Sequence, residues 1–139
     1  MNKYCLGLIF DPDQNRVLLL SKRSTDQFNP GLWNGIGGKV EKNETSLDAM
    51  VRETFEEASF RVDSDCWTHM GVISDYDLFH VDVFASLARI DAASQATDEL
   101  IGIFDREQAQ DLNYAASVKE ALLPWLEGGM LLPKNTYPC

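Results

Sequence analysis

Residues 46–58, SLDAMVRETFEEA, carry two stripes of opposite character. Apolar Leu47, Met50, Val51, Phe55 and Ala58, with the methyl of Thr54, recur at three- and four-residue steps, which predicts an amphipathic helix from Ser46 to Ala58. Thr45 or Ser46 can cap its start, because a hydroxyl oxygen there accepts an otherwise unpaired backbone N–H. At about 100° per residue, Glu53, Glu56 and Glu57 gather on another side within an arc of about 100°. Like charges at these spacings destabilise a helix by roughly 0.2–0.5 kcal/mol per pair. Glu56 and Glu57 also lie in the last turn, where the helix dipole favours cations. Arg52 sits at the edge of the stripe and no lysine follows, so nothing within the stripe compensates. Two readings fit: a solvated acidic face, or a ligand set for a hard cation such as Mg²⁺ or Mn²⁺, which take carboxylate oxygens.

The helix needs an apolar layer to lie on, and the flanking sequence supplies strands. Tyr4–Phe10 and Val17–Lys22 read as strands of a hairpin around the turn cluster Asp11-Pro12-Asp13-Gln14-Asn15. Arg23–Leu32 reads as a loop, Trp33–Ile36 as a short extended piece, and Gly37-Gly38 as a break. Beyond the helix, Trp67–Ile73, Leu78–Leu87 and Leu100–Phe104 read as strands, with Asp91–Asp98 a polar connection. In the second of these, Phe79, Val81 and Val83 alternate with His80, Asp82 and Phe84. Ala115–Leu126 reads as a last helix with Pro124 kinking or shortening it, and Gly128-Gly129 stops it. Strands with two helices predict an α/β (α+β) class, a mixed sheet sandwiched between helices.

At 139 residues the expectation is one domain spanning 1–139. The net charge of −10 argues against binding a nucleic-acid polymer or an anionic membrane, and no apolar run reaches the roughly 20 residues of a membrane span. The first residues show no signal-peptide pattern. Three cysteines, Cys5, Cys66 and Cys139, are an odd number without metal-ligand spacing, which predicts free thiols in a reducing, cytoplasmic compartment.

Reading from Gly38, GKVEKNETSLDAMVRETFEEASF contains Gly38, five residues, Glu44, seven residues, Arg52-Glu53, two residues and Glu56-Glu57. This resembles the signature of the Nudix hydrolases: Gly, five, Glu, seven, Arg-Glu, aliphatic, any, Glu-Glu, any, Gly, aliphatic. Thr54 and Ser59 depart from it, standing where an aliphatic residue and a glycine are usual. The lead-in GLWNGIGGKV, residues 31–40, is similar to that of the MutT-type nucleoside triphosphate pyrophosphohydrolases.

The resemblance implies a Nudix fold and Mg²⁺-dependent hydrolysis (Mn²⁺ a possible substitute) of a nucleoside diphosphate linked to another group, first of all a (d)NTP or oxidised (d)NTP cleaved to NMP and pyrophosphate. It implies metal ligands at Glu53, Glu56, Glu57 and the Gly38 carbonyl, with Arg52 and Glu44 orienting carboxylates and Glu53 or, second, Glu99 as base. It offers Lys22, Arg23, Asn34, Lys39 and Asn113 as substrate contacts, with weaker cases for Phe28 stacking on a base and for Tyr76. Trp33, His69 and His80 read as structural. The acidic pair that some oxidised-purine hydrolases use has no match, since Tyr114-Ala115-Ala116 follow Asn113. Hydrolysis of ADP-ribose, dinucleoside polyphosphates or other nucleotide derivatives is the second reading. A non-hydrolytic nucleotide-binding module is the third.

Overall fold

A computed structural model describes residues 2–21, 31–75, 78–97 and 99–139. The elements run β1 (Asn2–Phe10), β2 (Arg16–Ser21), β3 (Trp33–Asn34), β4 (Ile36–Lys39), α1 (Ser46–Ala58), β5 (Thr68–Asp75), β6 (Phe79–Leu87), β7 (Leu100–Asp105), α2 (Arg106–Gln110) and α3 (Val118–Leu126).

Strand β1 organises the sheet. Its whole length pairs in parallel with β6, from Asn2↔Phe79 to Phe10↔Leu87. That occupies one edge, so β2 and β4 share the other, with β2 against Ile9 and Phe10 and β4 against Tyr4–Gly7. Strand β5 continues antiparallel from β6, while β3 and β7 pair with β2. The sheet therefore splits along β1, and the split matters below.

Alternation along β1 divides the core. Leu6, Leu8 and Phe10 pack with Ala109 of α2 and with Val118, Leu122 and Trp125 of α3. Cys5 and Ile9 pack on the opposite face with Ala49, Met50 and Ala58 of α1. The result is a mixed sheet between helices, as the sequence pattern predicts.

The β1–β2 turn is tied by Asp11, whose Oδ1 accepts from Asn15 N–H at 2.8 Å and Arg16 N–H at 3.1 Å. Gln14 is buried at its apex. Its side-chain amide donates to Leu132 O at 2.9 Å and accepts from Leu131 and Leu132 N–H at 3.1 Å, so the C-terminal stretch is fastened to the first hairpin.

Helix α1 has the predicted bounds. Thr45 is its N-cap in a capping box with Asp48. Ser59, at the usual glycine position, takes the left-handed conformation (φ 59°) that ends the helix. Thr54 is fully buried and its hydroxyl donates to Met50 O at 2.8 Å. Phe55 falls on the flank of the stripe and is 61 % exposed, while Ala49 takes its expected place inside.

Four other expectations change. Gly37 and Gly38 continue strand β4 rather than break it, because they pair with Leu6 and Cys5. Helix α2 adds a third helix to the two that the sequence pattern predicts; Asp105 and Gln108 cap it reciprocally. Helix α3 begins at Val118 rather than Ala115, because Ala115 N–H donates to Trp33 O and Ser117 is left-handed; it runs through Pro124 to Leu126. The three free thiols become one: Cys66 and Cys139 form a disulfide, and Cys5 alone is free and buried. The fold brings that distant pair together because Cys139 N–H donates to Leu87 O while Ser86 Oγ donates to Cys66 O. Among the described residues, no helix is long and apolar enough to cross a membrane.

Candidate active site

Helix α1 lies across β4, and Glu53 and Glu57 come to the flank of the buried face rather than to open solvent. The strand opposite has room for carboxylates only because it carries glycines. A Cβ on Gly38 would collide with the Glu53 carboxylate, and one on Gly37 with the Cys5 carbonyl. The Gly37 N–H donates to Glu57 Oε1 at 3.3 Å. The Cys5 thiol beneath is pushed up to about 11, chiefly by burial.

Arg52 holds the acidic stripe together. It donates to both Glu44 oxygens, at 2.6 and 3.2 Å, to Glu53 Oε1 at 2.9 Å and to Glu56 Oε2 at 3.2 Å. It also reaches Lys39 O at 3.1 Å. The stripe that reads as uncompensated in sequence is thus compensated from its edge. The bonds from Glu44 raise the Arg52 pKa despite partial burial, and Arg52 in turn lowers that of Glu44. Glu44 Oε1 also accepts from Glu41 N–H at 2.8 Å.

Among the described residues Glu57 has no such basic partner. The carboxylates of Glu99, from the loop before β7, and of Glu53 stand beside it. Burial first, then these two neighbouring carboxylates, hold its pKa well above the ordinary carboxylate range. Glu57 and Glu99 line a cleft of about 460 Å³ at the split in the sheet. Its other lining includes the Gly37–Gly38 backbone, an apolar floor from Leu6, Leu20, Ile73, Phe79 and Val81, and the Ala115–Val118 segment.

Of the remaining expected contacts, Asn34 lines the cleft with its Oδ1 accepting from Gly35 N–H at 2.8 Å. Asn113 is anchored nearby, its carbonyl accepting from Trp33 N–H at 2.8 Å, yet it does not line the cleft. Lys39 is exposed at the end of β4, also outside the lining. Lys22, Arg23, Phe28 and Tyr76 lie outside the described residues. Trp33 packs edge-on against Phe104. His69 and His80 meet at one carboxylate: their Nε2 atoms lie 2.8 and 3.4 Å from Asp82 oxygens, and Ser46 Oγ donates to the same group at 2.5 Å. Burial opposes the Asp82 charge, but these bonds outweigh it and lower the Asp82 pKa.

The sequence pattern does not reveal Tyr4, Phe79, Val81 and Ser117 as cleft residues. Tyr4, Phe79 and Val81 arrive through the parallel β1–β6 register, which leaves no local trace.

No described group of three or more His, Cys, Asp or Glu side chains stands in metal-holding geometry. Glu53 and Glu56 are turned to Arg52, and Glu57 accepts from Gly37 N–H. The donor chemistry nevertheless fits a hard divalent cation: oxygen ligands only, beside a backbone without side chains, with Glu57 crowded by anions. Both the crowding and its cost would be relieved by positive charge.

A family model described as NUDIX domain matches residues 3–126. The oxidized purine nucleoside triphosphate hydrolase of Mus musculus is 44 % identical over 61 residues, 44 % of this chain and 36 % of that protein. The dihydroneopterin triphosphate diphosphatase of Haemophilus influenzae is 36 % identical over 56 residues, 40 % of this chain and 33 % of that protein. The matched stretch therefore spans about a third of the length of these curated relatives. Among solved structures, MutT from Aliivibrio salmonicida and Vibrio cholerae superposes with a TM-score of 0.78 at 21 % identity, covering 91 % of this chain and 97 % of that one. A MutT NUDIX hydrolase from Burkholderia pseudomallei gives 0.72 at 21 % identity, covering 88 % and 95 %.

Proposed function

The chain belongs to the NUDIX domain family, and from that premise we propose that it is a pyrophosphohydrolase acting on a nucleoside diphosphate linked to another group, first of all a (d)NTP or oxidised (d)NTP released as NMP and pyrophosphate. The observation that carries this reading is the Glu57–Glu99 pair on the wall of an otherwise largely apolar cleft, beside the Gly37–Gly38 backbone. A cleft with an apolar floor and a few polar groups suits a base, and its acidic wall suits a cation-bridged diphosphate.

Glu53, Glu56, Glu57 and the Gly38 carbonyl would hold Mg²⁺, or Mn²⁺ in its place. When bound, the ion offsets phosphate charge and lowers the pKa of water. Arg52 keeps Glu53 and Glu56 oriented, and Glu44 keeps Arg52 in place. Proton acceptance falls to Glu99 in preference to Glu53. A Glu53 oxygen is engaged by Arg52 at 2.9 Å, whereas Glu99 lines the cleft beside Glu57. Asn34 lines the cleft, and its side-chain oxygen is engaged by Gly35 N–H, which leaves the amide N–H donors for a ligand in this reading.

The named relatives support a triphosphate chain as the shared substrate element, and the Haemophilus influenzae protein favours a pterin triphosphate as a second candidate. The decisive experiment incubates purified protein with Mg²⁺ and a panel of nucleoside triphosphates, oxidised triphosphates, ADP-ribose and dinucleoside polyphosphates, and follows phosphate and pyrophosphate. Triphosphate turnover to NMP and pyrophosphate is the expected result. Turnover confined to ADP-ribose or dinucleotides moves the reading to those substrates. Metal-dependent binding without turnover shows a non-hydrolytic module.

A further inference from the structure

Ser117 precedes α3 with φ 71° and ψ −11°, a left-handed conformation that side chains other than glycine adopt at a cost. A serine at a helix N-cap ordinarily sits in the extended region and accepts from the first turn; this one makes no side-chain capping bond. Its backbone is well fixed. Ala115 N–H donates to Trp33 O at 2.8 Å, Val118 N–H to Ala115 O at 3.2 Å, and Ala121 N–H to Ser117 O at 3.2 Å. The turn is thereby joined to β3, the strand that carries Asn34, and both residues line the cleft. Glycine would meet the backbone requirement without strain. Serine adds a hydroxyl that the helix does not use, on a wall where Ala115 and Ala116 offer no polar side chain.

We infer that Ser117 is a specificity-determining residue whose hydroxyl hydrogen-bonds the uncharged nucleoside portion of the substrate. This rests on the reading of the cleft as a nucleotide site. A neutral alcohol above an apolar floor offers a donor and an acceptor to a sugar or base edge and brings no charge to a phosphate chain. The phosphates belong with the charged groups around Glu57 and Glu99.

The test compares wild type, Ser117→Ala and Ser117→Gly by titration calorimetry with Mg²⁺, using non-hydrolysable imido analogues of the nucleoside triphosphates and, separately, inorganic tripolyphosphate. Both variants are expected to weaken binding of the preferred nucleotide analogue by roughly 3- to 10-fold, the worth of one neutral hydrogen bond, and to leave tripolyphosphate binding unchanged. Ser117→Gly is expected to melt at or above the wild-type temperature, which separates loss of the hydroxyl from loss of fold and serves if the alanine variant fails to fold. Unchanged nucleotide affinity in the folded variants, or a parallel loss for tripolyphosphate, overturns the assignment. A wild type that hydrolyses nothing sinks the hydrolase reading while the binding comparison still judges Ser117; a wild type that binds no analogue overturns both.

Discussion

Glu57 and Glu99, one from helix α1 and the other from the loop before β7, face each other as neighbouring carboxylates on the wall of the cleft. A carboxylate in that position holds its proton to higher pH than it does in the unfolded chain. The folded state then binds more protons than the unfolded state over the interval between the two pKa values. The linked stability is present at acid pH and is lost as pH rises above the ordinary carboxylate range. In chelator, the melting temperature is expected to fall as pH goes from 5 to 9, and Glu57→Gln should flatten that slope. Added Mg²⁺ should reverse the trend with release of protons, measurable by calorimetry in buffers of different ionisation enthalpy. A slope unaffected by Glu57→Gln would remove this residue as its source.

The proposed division of labour among the acids is tested by turnover. Glu57→Gln and Glu53→Gln are expected to lower kcat by orders of magnitude while circular dichroism shows an intact fold, because each removes a ligand charge and leaves the shape. Glu99→Gln is expected to lower kcat by about 10²- to 10⁴-fold with little change in metal affinity, as removal of a general base does. A Glu99→Gln enzyme with a near wild-type rate would return the base to Glu53.

Arg52 is bonded to Glu44, Glu53 and Glu56 at once, so its removal strands three acids against one another. Arg52→Ala is expected to cost about 1–3 kcal/mol by denaturant unfolding, between the values of exposed and buried pairs, since the guanidinium is partly exposed. Arg52→Lys should restore little, because one ammonium cannot reproduce the two-pronged bond to Glu44. Full rescue by lysine would show that charge alone matters there.

The bond between Cys66 and Cys139 spans 73 residues of sequence. Loop closure of that length is expected to contribute roughly 2–5 kcal/mol, so dithiothreitol or Cys66→Ser should lower the melting temperature by several degrees. Thiol titration of the denatured, unreduced protein should find one free thiol, Cys5, and three after reduction. Three thiols before reduction would mean that the bond does not form.

Local periodicity made much of this architecture legible. The apolar steps from Leu47 to Ala58 define α1, and strand alternation distributes the core to two faces. Helix α2 also left a trace in Asp105 and Gln108, a reciprocal cap readable at its three-residue spacing. Other features have no local signature. The parallel register of β1 with β6, which carries Phe79 and Val81 to the cleft, is set by tertiary packing. The meeting of Cys66 with Cys139 depends on where the tail runs after Leu132 settles into the core. For the candidate site, the spacing from Gly38 to Glu57 identified which acids to watch, and Arg52's grip on three of them became visible only in three dimensions. Phe55 shows the converse, an apolar residue in step with the stripe but just past the helix's contact surface.

Gln14 has a consequence for anyone who trims or recombines this chain. Its amide works as a clasp for the stretch around Leu131 and Leu132, while its own carbonyl receives the Trp125 indole N–H at 2.6 Å. Trimming the last residues forfeits the Cys66–Cys139 bond, and deletions that go on to remove Leu132 and Leu131 would also uncap the first hairpin from more than a hundred positions away. Chimeras with related proteins must therefore take their opening turn and their closing segment from the same parent.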